Sequence, residues 1–223
     1  MFDKYYKDYW EMLTKKVPSP YKYFIDINWR SKKNAENTKI GKIWKKYLKN
    51  VNTVLDYGGG SGLTGEMLNN LKWNGKYELL DSSKNINPDY YDIDDVTKKY
   101  DMIVCLQVIE HLYFEDFLDL IEKLTQKLKT GGILVIGSDH PANAGHLWNV
   151  EMGHVKSYPF HNLHQYLQMN GFNHNNSSIV LQYMDEYKLV KYLLYLIRKV
   201  ILQILGISPF MSYVIFIEKK RIN

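Results

Sequence analysis

Val54-Leu55-Asp56-Tyr57-Gly58-Gly59-Gly60-Ser61-Gly62 decides the reading of this chain. A short apolar run ends in an acid, a glycine-rich turn follows, and Leu63–Leu71 then carries a helical pattern. Glycine is required where a backbone turns tightly or where a ligand lies directly against it. An ordinary flexible turn does not need four glycines in the five positions 58–62. The stretch therefore reads as a strand, a ligand-cradling loop and a helix.

Outward from that loop, apolar runs and amphipathic segments alternate. Lys76–Leu80 reads as a strand ending at Asp81, a short strand is expected near Tyr90-Tyr91, and Asp101–Leu106 is a clear strand. Residues 113–128 form an amphipathic helix closed by Gly131-Gly132, and Ile133–Ile136 is a buried strand. A helix at 161–169 and strands at Ile179–Tyr183 and Ser212–Ile217 complete the series. Ahead of the loop, Ile40, Ile43, Trp44, Tyr47 and Leu48 repeat at helical spacing, and residues 1–35 read as an aromatic, lysine-rich cap broken by Pro18 and Pro20. The expected fold is α/β, a Rossmann-like, mostly parallel sheet with helices on both faces. Ligands of such sheets bind beyond the carboxyl ends of the strands. With no repeat and no linker-like stretch, residues 1–223 are expected to form one domain: cap and helix at 1–50, ligand-binding core at 51–183, and an amphipathic helix and final strand at 184–223.

Composition sets the outer bounds. The apolar fraction of 45% and charged fraction of 24% are those of a globular protein. The net charge of +5 is spread in short clusters such as Lys15-Lys16, Lys32-Lys33 and Lys45-Lys46, without the concentrated basic stripe of a nucleic-acid binder. Cys105 is the only cysteine and lies in an apolar run, so a buried, inert thiol in a reducing, cytoplasmic setting is expected. Met1–Trp10 has no apolar signal core, and no uncharged apolar run is long enough to span a bilayer.

Two ligand classes fit the loop. Gly60-Ser61-Gly62-Leu63-Thr64-Gly65 satisfies the dinucleotide spacing, which would make the protein a nicotinamide-dependent oxidoreductase. That fingerprint seats a diphosphate on a helix N-terminus, and its first glycine normally follows the strand directly. Here Asp56 precedes the turn, and an acid there suits a ligand carrying an ammonium and a sulfonium better than a diphosphate. Asp81, 25 residues after Asp56, can accept hydrogen bonds from ribose hydroxyls in either class. Asp92 and Asp94 could reach an adenine amino group, or be solvated turn acids.

At this point the residues resemble the class I S-adenosylmethionine-dependent methyltransferases, particularly the small-molecule groups that include the ubiquinone O-methyltransferases. The resemblance covers roughly residues 50–182. Leu55–Gly62 looks like the first motif, and Glu78–Asp81 like the ribose-binding acid after the second strand. Tyr100–Leu112 is similar to the fourth strand and its turn, and Leu128–Leu134 to the turn before the fifth strand. The resemblance implies seven strands with the last one reversed. It also implies that Gly58 and Gly60 line the methionine moiety, Asp81 binds ribose, Asp92 or Ile93 flanks adenine, and Gln107 faces the site of methyl transfer.

Methyl transfer also needs an acceptor made nucleophilic by a base or a metal. In the ubiquinone O-methyltransferases a Glu-x-x-Glu-His stretch is associated with a divalent metal. Here Gln107 stands first, ahead of Glu110 and His111, and losing a carboxylate weakens a site for magnesium, so magnesium is possible but not favoured and no residue is assigned as a metal ligand. Glu110-His111 could instead orient the loop. His111, His140 and His154 are the candidate bases, because histidine titrates near neutral pH. His161 and His164 fall on the expected helix, and His146, Trp148 and Tyr158 lie in or near the same segment. Residues 186–205 carry a polar stripe on an otherwise apolar helix, suited to the core, a second subunit, a membrane surface or a lipophilic acceptor. The expected activity is methylation of a small molecule, a sugar, glycan precursor or quinone-like lipid, at a hydroxyl oxygen. A nucleic-acid methyltransferase and a non-catalytic cofactor-binding relative are the remaining alternatives.

Overall fold

The computed structural model describes residues 36, 38–83, 85–140, 153–182, 201, 204 and 212–221. The aromatic cap at 1–35, the segment holding His146 and Trp148, and nearly all of the 186–205 helix lie outside them. Of that helix, Ile201 and Ile204 are helical and exposed.

Helix α1 (Lys39–Leu48) starts where the Thr38 hydroxyl accepts a hydrogen bond from the Gly41 N–H at 3.0 Å. It buries Ile40, Ile43, Trp44, Tyr47 and Leu48, a stripe at i, i+3, i+4, i+7 and i+8. Strand β1 (Thr53–Tyr57), helix α2 (Leu63–Asn70) and strand β2 (Lys76–Leu80) follow. Then come β3 (Tyr100–Leu106), helix α3 (Phe114–Lys127) and β4 (Leu128–Asp139), and after them helix α4 (Phe160–Met169), β5 (Phe172–Gln182) and β6 (Ser212–Lys219). Helix α3 buries Phe117, Leu120, Ile121 and Leu124 on one stripe, each contributing roughly 2 kcal/mol of burial.

The sheet order is β2-β1-β3-β4-β6-β5, parallel from β2 through β4, with β6 antiparallel to both β4 and β5. Both faces are covered, as strict alternation along the strands shows. Leu55, Ile103, Leu134, Ile136 and Ile215 join the core under α3 and α4. Val54, Met102, Val104, Val135 and Phe216 join the core under α1 and α2. Trp44 meets the Phe216 ring edge-on at 4.9 Å, and Tyr47 stacks on it at 5.0 Å.

The reversed last strand is as expected, but the described sheet has six strands and not seven. Near Tyr90-Tyr91 only one parallel bridge forms, Leu80 with Tyr90. Pro88 lacks an N–H to extend the ladder, and the Asp89 side chain accepts the Leu79 N–H instead. Strand β5, by contrast, begins seven residues before the apolar run at Ile179. Its first part, Asn173–Ser178, is polar, and three residues are looped out where pairing shifts from Asn173 with Glu218 to Ser177 with Ile217.

The chain turns from β1 to β2 on one side, while β3 lies on the other. The loops after β1 and β3 therefore diverge, leaving a crevice at the carboxyl edge of the sheet. Tyr57 aligns with Cys105, and Leu106 with Gly137, so the ends of β1, β3 and β4 open into the same crevice.

Candidate active site

The glycine loop occupies that crevice. Gly58, Gly60 and Gly62 have φ of 67°, 52° and 78°, a left-handed region that favours glycine. The Gly58 N–H donates to the Leu80 carbonyl at 2.8 Å, tying the loop to the end of β2. Gly59 lies against the Asp56 carboxylate and Leu79, where a Cβ would be 2.5 Å from Leu79 Cδ1. A Cβ on Gly58 would be 2.5 Å from Val108 Cγ2, which shows how closely the turn after β3 approaches the loop.

Asp56 is 1% exposed and its Oδ2 accepts a 2.7 Å hydrogen bond from the Tyr77 hydroxyl. It shapes the loop from beneath. Burial, and then the Asp56 charge, push the Tyr77 hydroxyl far above the usual phenol range, so it stays a donor. Asp81 stands where a ribose-binding acid is expected. Its Oδ2 accepts from the Gly60 N–H at 2.9 Å and its Oδ1 from the Ser83 N–H at 2.8 Å. The acid and the loop are thus one unit, 21 residues apart in sequence. Asp92 is exposed and caps the short helical turn Ile93–Asp95 through the Asp94 N–H, while Ile93 is 5% exposed and joins the core beside Leu55 and Leu80.

Gln107 directly follows β3 and has a φ of 58°, unusual for a side-chain-bearing residue and common at functional sites. It is exposed on the crevice side. With its NH₂ turned toward the two carboxyl groups, it donates to Asp139 Oδ1 and Glu110 Oε1, both at 3.0 Å. Glu110 is wholly buried, and burial, with the nearby Asp139 charge, raises its pKa to about 7. Its backbone carbonyl accepts from Val155 and Lys156 N–H at 2.8 and 3.2 Å, so this turn does orient the segment that follows β4.

Of the three candidate bases, two come together and one does not. His111 is exposed, its Nδ1 is 2.9 Å from the Gly153 carbonyl, and its ring centroid is 4.9 Å from that of His154. The His154 side chain is 2% exposed, with Nδ1 4.0 Å from Asp139 Oδ2. His140 instead sits against Phe160 at 5.6 Å, and burial lowers its pKa to about 4. A base that weak is poorly matched to neutral pH. His161 also contacts Phe160, and Tyr158 is a core residue packed on Phe117 whose hydroxyl donates to the Leu112 carbonyl. His164 lies outside the crevice in a buried network with Ser177 and Gln168.

Asp139 was not among the sequence candidates. Its signal is its place at the carboxyl end of a central strand, beside Ser138 and His140. Tyr77 was also missed, and nothing in the local sequence marks it. Glu110, His111 and His154 each offer one ligand atom, all within 4.8 Å of one another. Two imidazoles and one carboxylate suit a borderline ion such as zinc better than magnesium.

The fold recurs in solved structures. An S-adenosylmethionine-dependent methyltransferase of Archaeoglobus fulgidus superposes with a TM-score of 0.62 at 20% identity, over 80% of this chain and 90% of that one. A candidate methyltransferase of Bacillus halodurans gives 0.56 at 13% identity, over 82% and 99%. The plantazolicin methyltransferase BamL, solved with a triazolic desmethylPZN analogue and S-adenosylhomocysteine, gives 0.51 at 17%, over 82% and 84%. At these identities the likeness speaks for the fold alone. No curated protein matches the sequence. Among the described residues no helix is long and apolar enough to cross a membrane. The family is given by residues 29–175, which match the model of a methyltransferase domain, and the chain belongs to that family, the S-adenosylmethionine-dependent methyltransferases of class I.

Proposed function

We propose that the protein moves the methyl group of S-adenosylmethionine to a hydroxyl oxygen of a small molecule, with a sugar, a glycan precursor or a quinone-like lipid as the acceptor class. The observation that carries this reading is the cluster of Gln107, Glu110, His111, Asp139 and His154 at the end of β3 and β4, beside the glycine loop. In this reading Gly58 and Gly60 line the methionine moiety, Asp81 takes the ribose hydroxyls, and Asp92 or Ile93 flanks the adenine. Gln107 borders the methyl-transfer site.

The donor is already activated, so the protein aligns the acceptor and removes its proton, and alignment alone supplies roughly 7–11 kcal/mol. As the acceptor oxygen attacks the methyl carbon, the carbon–sulfur bond breaks and S-adenosylhomocysteine leaves. The acceptor proton passes to exposed His111. The hydrogen-bonding distance from Nδ1 to the Gly153 carbonyl lets that carbonyl accept its N–H, which leaves Nε2 as the basic atom. His154 packs against the His111 ring, and the Asp139 carboxylate behind His154 supplies the negative charge that offsets the positive charge that develops.

The test is transfer of a radiolabelled methyl group to a panel of hydroxylated acceptors. With an acceptor in hand, His111→Ala should lower kcat by about 10²–10⁴-fold while S-adenosylhomocysteine still binds. His140→Ala should change the rate little. Unchanged turnover in His111→Ala would refute the assignment.

A further inference from the structure

At the opposite edge of the sheet, around the amino ends of β1, β3 and β4, a groove encloses about 390 Å³. It is walled by the end of α1, the glycine turn before the central part of β4, and the looped-out part of β5. It shares no residue with the glycine loop or the histidine cluster. We propose that this groove binds a second small molecule, a phosphate-bearing, hydroxylated compound of the size of a sugar phosphate.

Size comes first, since the volume lies at the lower end of the range of small-molecule sites. The sign of the ligand charge follows from how the lining charges are arranged. Two carboxylates line the groove, and both are occupied from within the protein. Asp101 Oδ2 accepts from the Asn52 and Thr53 N–H groups and the Thr53 hydroxyl, and its Oδ1 accepts from Lys129 Nζ at 2.8 Å. Glu218 accepts a hydrogen bond from the Asn176 amide. Their side chains are only 18% and 15% exposed.

The cations do the opposite. Lys129 is 46% exposed and Arg221 79%, and Arg221 approaches Glu218 only to 3.9 Å. Lys46, also exposed, holds its ammonium 4.6 Å from the Tyr47 ring centroid at the rim. An entering ligand therefore meets Lys46 and Arg221 turned outward, Lys129 already shared with Asp101, and two carboxylates whose oxygens are hydrogen-bonded inward. Arg221 lies across the turn at Gly131, whose φ is 76° and where a Cβ would stand 3.3 Å from Arg221 Nε, so the glycine admits the guanidinium. A planar guanidinium beside two ammonium groups suits a phosphate. Asn50 and Thr130, also in the lining, supply the neutral donors and acceptors that hydroxyls require.

The test is a titration of the full chain, isotopically labelled, with ribose 5-phosphate and with inorganic phosphate, followed by amide NMR shifts. The expected result is saturable movement centred on Gly131, Gly132 and Asn176, with ribose 5-phosphate the tighter of the two probes. Lys46→Ala/Arg221→Ala should weaken it by at least about tenfold, from the loss of charge-assisted hydrogen bonds. Lys123→Ala, outside the groove lining, should leave it unchanged, and preserved dispersion of the amide shifts away from the groove verifies that both variants are folded. Shifts scattered over the lysine-rich surface, or equal in the double variant, would overturn the proposal. Equal affinity for inorganic phosphate would overturn its hydroxyl component.

Discussion

Replacing Glu110 with glutamine should stabilise the protein increasingly above pH 4.5, and in full from about pH 7. The carboxyl is wholly buried, and burial lifts its pKa from the ordinary 4.5 to about 7. The native state thus keeps this proton through a window in which the unfolded chain has released it. Native stability must fall as pH rises from 4.5 to about 7, and the full penalty applies above that. At roughly 1.4 kcal/mol per tenfold change in proton affinity, the interval corresponds to about 3 kcal/mol. Glutamine is nearly isosteric with the protonated acid and keeps Oε1 as an acceptor for the Gln107 amide. In a chain of this length the gain should raise the melting midpoint by about 6–12 °C at pH 8. Urea unfolding of both proteins across this range is the assay. The difference should be near zero below pH 4.5, grow between pH 4.5 and about 7, and stay level above that. A difference independent of pH, or largest in acid, would show that Glu110 is not held as a buried acid.

Two further perturbations act elsewhere. Gly59→Ala forces a Cβ against the Asp56 carboxylate and Leu79, so it should cost about 1–3 kcal/mol and weaken S-adenosylhomocysteine binding in calorimetry, whereas Gly60→Ala has open space and carries only the strain of its positive φ. His164 is 2% exposed and burial lowers its pKa from 6.5 to about 4, so it stabilises the fold above pH 6.5 and loses that contribution as pH falls toward 4. His164→Gln should flatten the acid limb of the stability profile, and an unchanged limb would count against a neutral buried imidazole.

Most of the fold was legible because its signals are local. The stripes of α1 and α3, the apolar strands and the glycines between β1 and α2 each announce themselves within a dozen residues. The polar start of β5 was not legible, since Asn173–Ser178 pairs with β6 without any apolar alternation of its own. The seventh strand failed for the converse reason, because Tyr90-Tyr91 offers strand-forming side chains beside a proline and an acid that serve another turn.

On the site, the loop and Asp81 were readable from motif spacing, while their direct hydrogen bond was not. The pairing of His111 with His154 depends on the Glu110 turn clasping Val155 and Lys156, a contact between segments over forty residues apart. Sequence spacing carries no trace of it. The same holds for His140, which shares its residue type with the other two but turns toward Phe160.

The central claim is that this crevice binds an adenosyl sulfonium, and calorimetric titration tests it most directly. S-adenosylmethionine, S-adenosylhomocysteine and NADH would be titrated into the wild-type chain and into Asp81→Ala. The account predicts binding of both adenosyl ligands at about micromolar concentrations, no comparable binding of NADH, and a loss of at least about tenfold in the variant. Absence of adenosyl binding, or a preference for NADH, would contradict it and return the Gly60–Gly65 spacing to a dinucleotide.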